Sequence, residues 1–211
     1  TQTLLEACRG RSLKRFVFAG SSSVYGDQPG DAKQEDLPPQ PLSPYALQKY
    51  AGEQYGLLAA KQHGIPFVST RFFNVFGPRQ AFDSPYAGVI ARFCTAMLQG
   101  KAPVIFGDGQ QSRDFTYVDN VVDATLRAAT APDANGQIIN VAAAAPSSVT
   151  DLAEAIGRIM GKEVRKQNLP PRTGDIRDSW ADISRARTLL GYAPSVDLEE
   201  GLRRTVEAFG G

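Results

Sequence analysis

Two short strand-like runs, Phe16-Val17-Phe18-Ala19-Gly20 and Phe67-Val68-Ser69-Thr70-Arg71-Phe72, flank a long segment that carries helix start and stop signals. This order constrains the fold more than any other feature of the chain. Lys14 and Arg15 followed by the first apolar run give the pattern of a buried parallel strand. Ser43 suits an N-cap, and Pro44 suits the first helical position. Gly64 and Pro66 stop the helix near His63. Strand, helix and strand in that order predict a right-handed crossover within a parallel sheet.

The rest of the chain continues the alternation. A helix is expected over residues 2–9, closed by Gly10, and a loop rich in Pro, Gly and Asp over 25–43. Further helices are expected from Tyr86 to Leu98, from an Asp119 cap to Ala129 and from a Thr150 cap to Met160. Two terminal helices are expected from Ile183 to Leu190 and from Leu198 to Phe209. Strands are expected at Pro103–Phe106 and Gln137–Val141, with an extended stretch at Phe115–Val118. The fold class is α/β.

Composition removes several functions. The chain has 211 residues, 42% hydrophobic and 21% charged, as a soluble globular protein would. A formal net charge of +1 gives no reason to expect nucleic acid or a membrane surface as partner. No apolar run is long enough to span a bilayer, and no secretory leader is expected. Cys8 and Cys94 lack metal-ligand spacing and fit a reducing cytoplasm. His63 is the single histidine, so neither a zinc site nor a Ser-His-Asp triad is expected. Gly107-Asp108-Gly109 continues as Gln110-Gln111-Ser112, which is a turn and not a phosphate-binding fingerprint.

Chemistry enters with Tyr45 and Lys49. Four residues apart on a helix, they share one face. A free phenol ionises near pH 10, so a tyrosine base at neutral pH needs about 4 kcal/mol of preference for its phenolate. A nearby ammonium supplies part of that, and a cofactor's positive ring supplies more. The hydroxyls of Ser21, Ser22 and Ser23, delivered from a strand end, complete a set suited to moving a proton off an alcohol.

Five ordered segments carry a resemblance. They are Phe16 to Asp27, Pro41 to Lys49, Arg71 to Gln80, Gly107 to Asp119, and Arg172-Thr173-Gly174-Asp175. Together they resemble the extended short-chain dehydrogenase/reductase family, in its nucleotide-sugar epimerase/dehydratase branch, over essentially the whole chain. The resemblance implies the C-terminal part of a Rossmann-like parallel sheet plus a smaller α/β substrate-binding domain. The implied division is 1–74 with 114–145 for the dinucleotide side, and 75–113 with 146–211 for the nucleotide-sugar side. The family's glycine-rich cofactor half has no counterpart here, so this chain alone is expected not to bind NAD tightly.

The resemblance also implies roles. Tyr45 corresponds to the general base, Lys49 to the lysine that binds the nicotinamide ribose, and Ser21 to the hydroxyl on the substrate, with Ser22 and Ser23 beside it. Phe73 corresponds to the aromatic beside the nicotinamide. Asn74, Arg113 and Arg172 correspond to the groups that hold the diphosphate; a planar guanidinium fork suits phosphate oxygens. Phe106 and its neighbour Val104 correspond to the uracil site, Asp175 to the ribose acceptor and Val89 to the helix start at the nucleotide. The implied reaction is NAD-dependent 4-epimerisation of a UDP-sugar through a 4-keto intermediate, by a homodimer in the full-length parent. Ser22 and Ser23 stand where dehydratases carry acids, which favours epimerisation over a dehydratase or decarboxylase. A non-catalytic nucleotide-binding remnant is the other alternative. Ser179, four residues after Asp175, stands where relatives restricted to UDP-glucose and UDP-galactose carry tyrosine, so N-acetylhexosamines are expected substrates.

Overall fold

A computed structural model describes residues 1–28, 30, 32–81, 88–171 and 176–210. In chain order the elements begin with α1 (Gln2–Cys8), β1 (Phe16–Ser21), a 3-10 turn at Ser22–Tyr25, α2 (Pro44–His63), β2 (Phe67–Phe72), β3 (Val75–Phe76) and α3 (Val89–Leu98). Next come β4 (Val104–Phe106), β5 (Ser112–Asp114), β6 (Thr116–Tyr117), α4 (Val118–Thr130), β7 (Ile138–Val141), β8 (Pro146–Ser148) and α5 (Val149–Met160). The chain closes with β9 (Gln167–Leu169), β10 (Asp178–Ser179), α6 (Ser184–Leu190) and α7 (Leu198–Gly210).

The expected strand–helix–strand unit is present. Ser43 Oγ accepts from Ala46 N at 3.1 Å, Pro44 opens α2, and Gly64 closes it at φ 66°, in the left-handed region. β1 and β2 pair in parallel from Phe16 opposite Phe67 to Ser21 opposite Phe72, and β7 pairs in parallel on the other side of β2. Alternate residues of β2 serve opposite faces. Phe67 packs with Leu5 and Ala59 from α1 and α2, whereas Val68 packs with Ala124 and Ala128 of α4 and Leu190 of α6. The sheet is therefore covered on both faces, as a parallel sheet must be.

α2 sits unusually close to the sheet. A Cβ on Gly52 would come within 2.6 Å of the Phe18 ring, and one on Gly56 would overlap the Phe67 ring. Interior glycines cost a helix about 1 kcal/mol each relative to alanine; here they permit the approach.

A second cluster gathers Phe93 and Met97 of α3, Leu152 and Ile156 of α5, and Leu202 of α7. The remaining strands form two pairs, β4 with β9 and β3 with β6, and the three-stranded sheet β10-β5-β8. Two expected caps shift. The N-cap of α4 is Tyr117, and Asp119 lies inside the first turn, where a carboxylate favours the positive end of the helix. The N-cap of α5 is Ser148, whose Oγ accepts from Asp151 N at 3.0 Å; its backbone is extended, as capping requires, while Thr150 is already helical. α3 begins at Val89, and Tyr86 lies outside the described residues. Among the described residues no helix is long and apolar enough to cross a membrane.

Candidate active site

The carboxyl ends of β1 and β2 open onto a cleft of about 410 Å³, where open α/β sheets place their ligands. β1 delivers Ser21, and the following 3-10 turn delivers Ser22 and Ser23. The first turns of α2 deliver Tyr45 and Lys49. The chain leaving β2 delivers Asn74, at a left-handed φ of 29°, an uncommon conformation that asparagine tolerates better than most residues. Arg113 and Ser179 face each other across the β5–β10 pair and close the far wall with Ile176.

Lys49 Nζ donates to Ala19 O at 2.9 Å and lies 5.7 Å from the centroid of the Tyr45 ring. Tyr45 is 55% exposed, so its phenol is open to a ligand. Ser21 is buried; its Oγ accepts from Ser23 N at 3.2 Å and from Ser23 Oγ at 2.9 Å. The nearby Tyr25 is a different kind of tyrosine. Burial pushes it up to about 12, partly countered by the Arg71 charge, and it is no acid–base group at neutral pH.

Two smaller cavities adjoin the cleft. One of about 60 Å³ shares Asn74 and Val75 with it and reaches Val89 at the start of α3. The other, of about 290 Å³, joins at Ile176 and is lined by Phe106, Gln111, Pro171 and the ion-paired Asp108 and Arg177. Asp108 lies 2.9 Å from Arg177 Nη1, and the Gln110 N–H together with that guanidinium hold its carboxyl below the ordinary range. Arg113 Nη1 donates to Ser112 O at 2.7 Å and Arg177 O at 3.2 Å.

The structure brings Ser21, Ser22, Ser23, Tyr45, Lys49, Asn74, Arg113 and Ser179 to one cleft. Phe106 and Val89 line its two neighbours. Val104 is 37% exposed on β4 and lines none of the three. Arg172 and Asp175 lie outside the described residues. Phe73 is fully buried, 6.2 Å from the Tyr25 ring, and its neighbour Phe72 lines the cleft. Ile176 and Arg177 were not expected; nothing in the local pattern marks them. His63 is exposed in the last turn of α2, and the described residues hold no cluster suited to a metal. A phenol, an ammonium and a buried hydroxyl around one cavity can move a proton to or from a bound alcohol.

Residues 1–142 match the family profile described as NAD dependent epimerase/dehydratase. The chain belongs to this family. Among epimerase/dehydratase members, it is 41% identical over 212 residues to the UDP-glucose 4-epimerase of Mycolicibacterium smegmatis, covering 99% of this chain and 66% of that one. Among solved structures, it superposes with TM-score 0.93 on the UDP-N-acetylglucosamine 4-epimerase of Methanobrevibacter ruminantium in complex with UDP-N-acetylmuramic acid, at 41% identity over 98% of this chain and 66% of that chain. It superposes with TM-score 0.91 on the UDP-glucuronic acid 4-epimerase of Bacillus cereus in complex with UDP-glucuronic acid and NAD, at 40% identity over 98% of this chain and 65% of that chain. The chain thus spans just under two thirds of the length of these relatives.

Proposed function

We propose that this chain carries the acid–base and sugar-nucleotide-binding parts of an NAD-dependent UDP-sugar 4-epimerase that accepts N-acetylhexosamines. The observation that carries this reading is the single cleft shared by Ser21, Tyr45, Lys49 and Ser179. Tyr45 takes the proton of the sugar C4 hydroxyl and later returns one. Ser21 holds the same oxygen from the opposite side. Lys49 Nζ stands 5.7 Å from the centroid of the Tyr45 ring, on the same side of the cleft. An ammonium has three donors and Ala19 O takes one, so Lys49 keeps capacity for a ribose hydroxyl of the cofactor. These residues fit the nicotinamide-riboside end of NAD, which when bound supplies the hydride acceptor and donor.

Asn74 and Arg113, with Arg172, are assigned to the diphosphate. Phe106, with Val104 beside it, is assigned to the base, Asp175 to the ribose and Val89 to the backbone contact at the α3 start. On this assignment residues 1–74 and 114–145 serve the cofactor side, and 75–113 and 146–211 serve the sugar-nucleotide side, with α6 packed back against β7. A homodimer is part of the proposal, supported by the exposed Leu47, Tyr55 and Leu58 along one face of α2. A reducing cytoplasmic setting is supported by the two free cysteines, Cys8 and Cys94.

Tyr45→Phe in the gene product tests the reading, because it keeps the ring and removes the proton acceptor. Turnover of UDP-glucose should fall by at least about 100-fold with UDP-sugar affinity within about 3-fold. Near-normal turnover would refute the assignment of the base.

A further inference from the structure

Arg71 and Glu53 are each 1% exposed, and neither lines the cleft. Taking two charges out of water costs several kcal/mol per ion before pairing returns any of it. A pair buried this deeply is weak evidence of a stability role.

The contacts point elsewhere. Arg71 grips Glu53 with two parallel bonds, Nε to Oε2 at 3.0 Å and Nη2 to Oε1 at 2.6 Å. Ser69 Oγ donates to the same carboxylate at 2.8 Å. The guanidinium carbon also lies 4.7 Å from the centroid of the Tyr25 ring, whose hydroxyl donates to Asn140 Oδ1 at 2.7 Å. Two arms of this hub reach elements that supply the cleft, α2 through Glu53 and the 3-10 turn through Tyr25, while Nη1 donates to Glu35 O at 3.3 Å in the loop before α2. Glu53 is on α2, four residues after Lys49 and eight after Tyr45, on a stripe that drifts only slowly around the helix. Gly52 and Gly56 on either side bring that part of α2 close enough for a short carboxylate to reach β2. Tyr25 ends the 3-10 turn that begins just after Ser21. Arg71 lies three residues before Asn74.

We propose that Arg71, fixed by Glu53, is a positioning residue that sets Tyr45 and Lys49 at their working distance from Ser21. The proposal rests on the reading of those three as the acid–base set. Proton transfer needs heavy atoms within about 3 Å, and a displacement of about 1 Å can cost about 100-fold in rate. Arginine suits the task because one rigid plane makes the fork to Glu53 and the stack on Tyr25 together; lysine would keep the charge and lose both.

The test compares the unaltered gene product with Glu53→Leu/Arg71→Met and with Arg71→Lys. Replacing both charges by apolar groups of similar size leaves no orphaned ion, so the double variant is expected to fold with its Tm within about 4 °C of the parent. Its kcat with UDP-glucose and NAD should fall about 100-fold while KM stays within about 3-fold. In its crystal structure the 2.9 Å contact of Lys49 Nζ with Ala19 O should open. Arg71→Lys keeps the charge beside Glu53 but loses the fork, so its kcat should also fall, with KM within about 3-fold. Unchanged kcat with the Lys49 contact intact would overturn the proposal. Failure of both variants to fold would overturn it too, by making the pair a stability device. Absence of epimerisation by the unaltered protein would remove the functional reading alone. The positioning claim would then stand or fall on the Lys49–Ala19 separation.

Discussion

On the proposed function, substrate range should turn on Ser179. It is 8% exposed, opposite Arg113, and lines the same cleft as Tyr45 and Lys49. A hydroxymethyl side chain leaves room that a phenol would fill. Ser179→Tyr should therefore lower kcat/KM for UDP-N-acetylglucosamine at least about 100-fold relative to UDP-glucose, since excluding an acetamido group costs more than the roughly 1–3 kcal/mol of one methylene. Measuring both substrates before and after the change decides it, and an unchanged ratio would show that Ser179 gates nothing. Ser21 makes a second prediction. Its Oγ caps the 3-10 turn as well as facing the cleft, so Ser21→Ala should lower kcat about 10- to 1,000-fold and Tm by only a few degrees. Kinetics and calorimetry on one preparation separate the two effects, and equal losses in kinetics and folding would make Ser21 merely a cap. At this scale the sequence was legible where a side chain's chemistry is rare, as with Tyr45 and Lys49. It did not show that Phe72 lines the cleft while Phe73 is buried, because alternation separates two faces without saying which one meets the cleft.

α2 is the element that joins fold to chemistry. Its start and stop were readable because Ser43, Pro44 and Gly64 act through local backbone geometry. Its buried face was not readable, because glycines and Glu53 take the places an apolar stripe would occupy. Gly56→Ala tests the close approach directly. In an open helix that change stabilises by about 1 kcal/mol. Here the added methyl would overlap the Phe67 ring, which is fully buried, and urea unfolding should show a loss of about 1–3 kcal/mol. A gain would contradict the packing of α2 on the sheet. The strands β5, β8, β9 and β10 escaped the sequence for a different reason. They are two or three residues long, and Ser112 pairs with both Ser148 and Asp178, so the partners rather than the pattern make them strands.

Across the whole molecule, one polar network ties the loop before α2 to the sheet. Glu35 Oε1 accepts from Asn140 N at 2.8 Å, and Arg185 stands 3.8 Å from the same carboxylate. Burial pushes the Glu35 carboxyl above its ordinary range. A carboxyl raised on folding favours the folded state at low pH and loses that contribution as pH rises through the folded value. Lowered carboxyls such as Asp182 act oppositely, losing theirs as pH falls below about 4. Glu35→Gln keeps an acceptor for Asn140 and should flatten the decline of Tm above about pH 4. An unaltered slope would show that Glu35 does not titrate across that range.

If one cleft inverts C4 of a UDP-sugar, proton NMR of the gene product incubated with NAD and UDP-glucose reads the reaction out. UDP-galactose should appear, the same mixture should be reached from UDP-galactose, and Tyr45→Phe should abolish both. A product formed by loss of water, or substrate left unchanged by folded protein, would contradict inversion at C4.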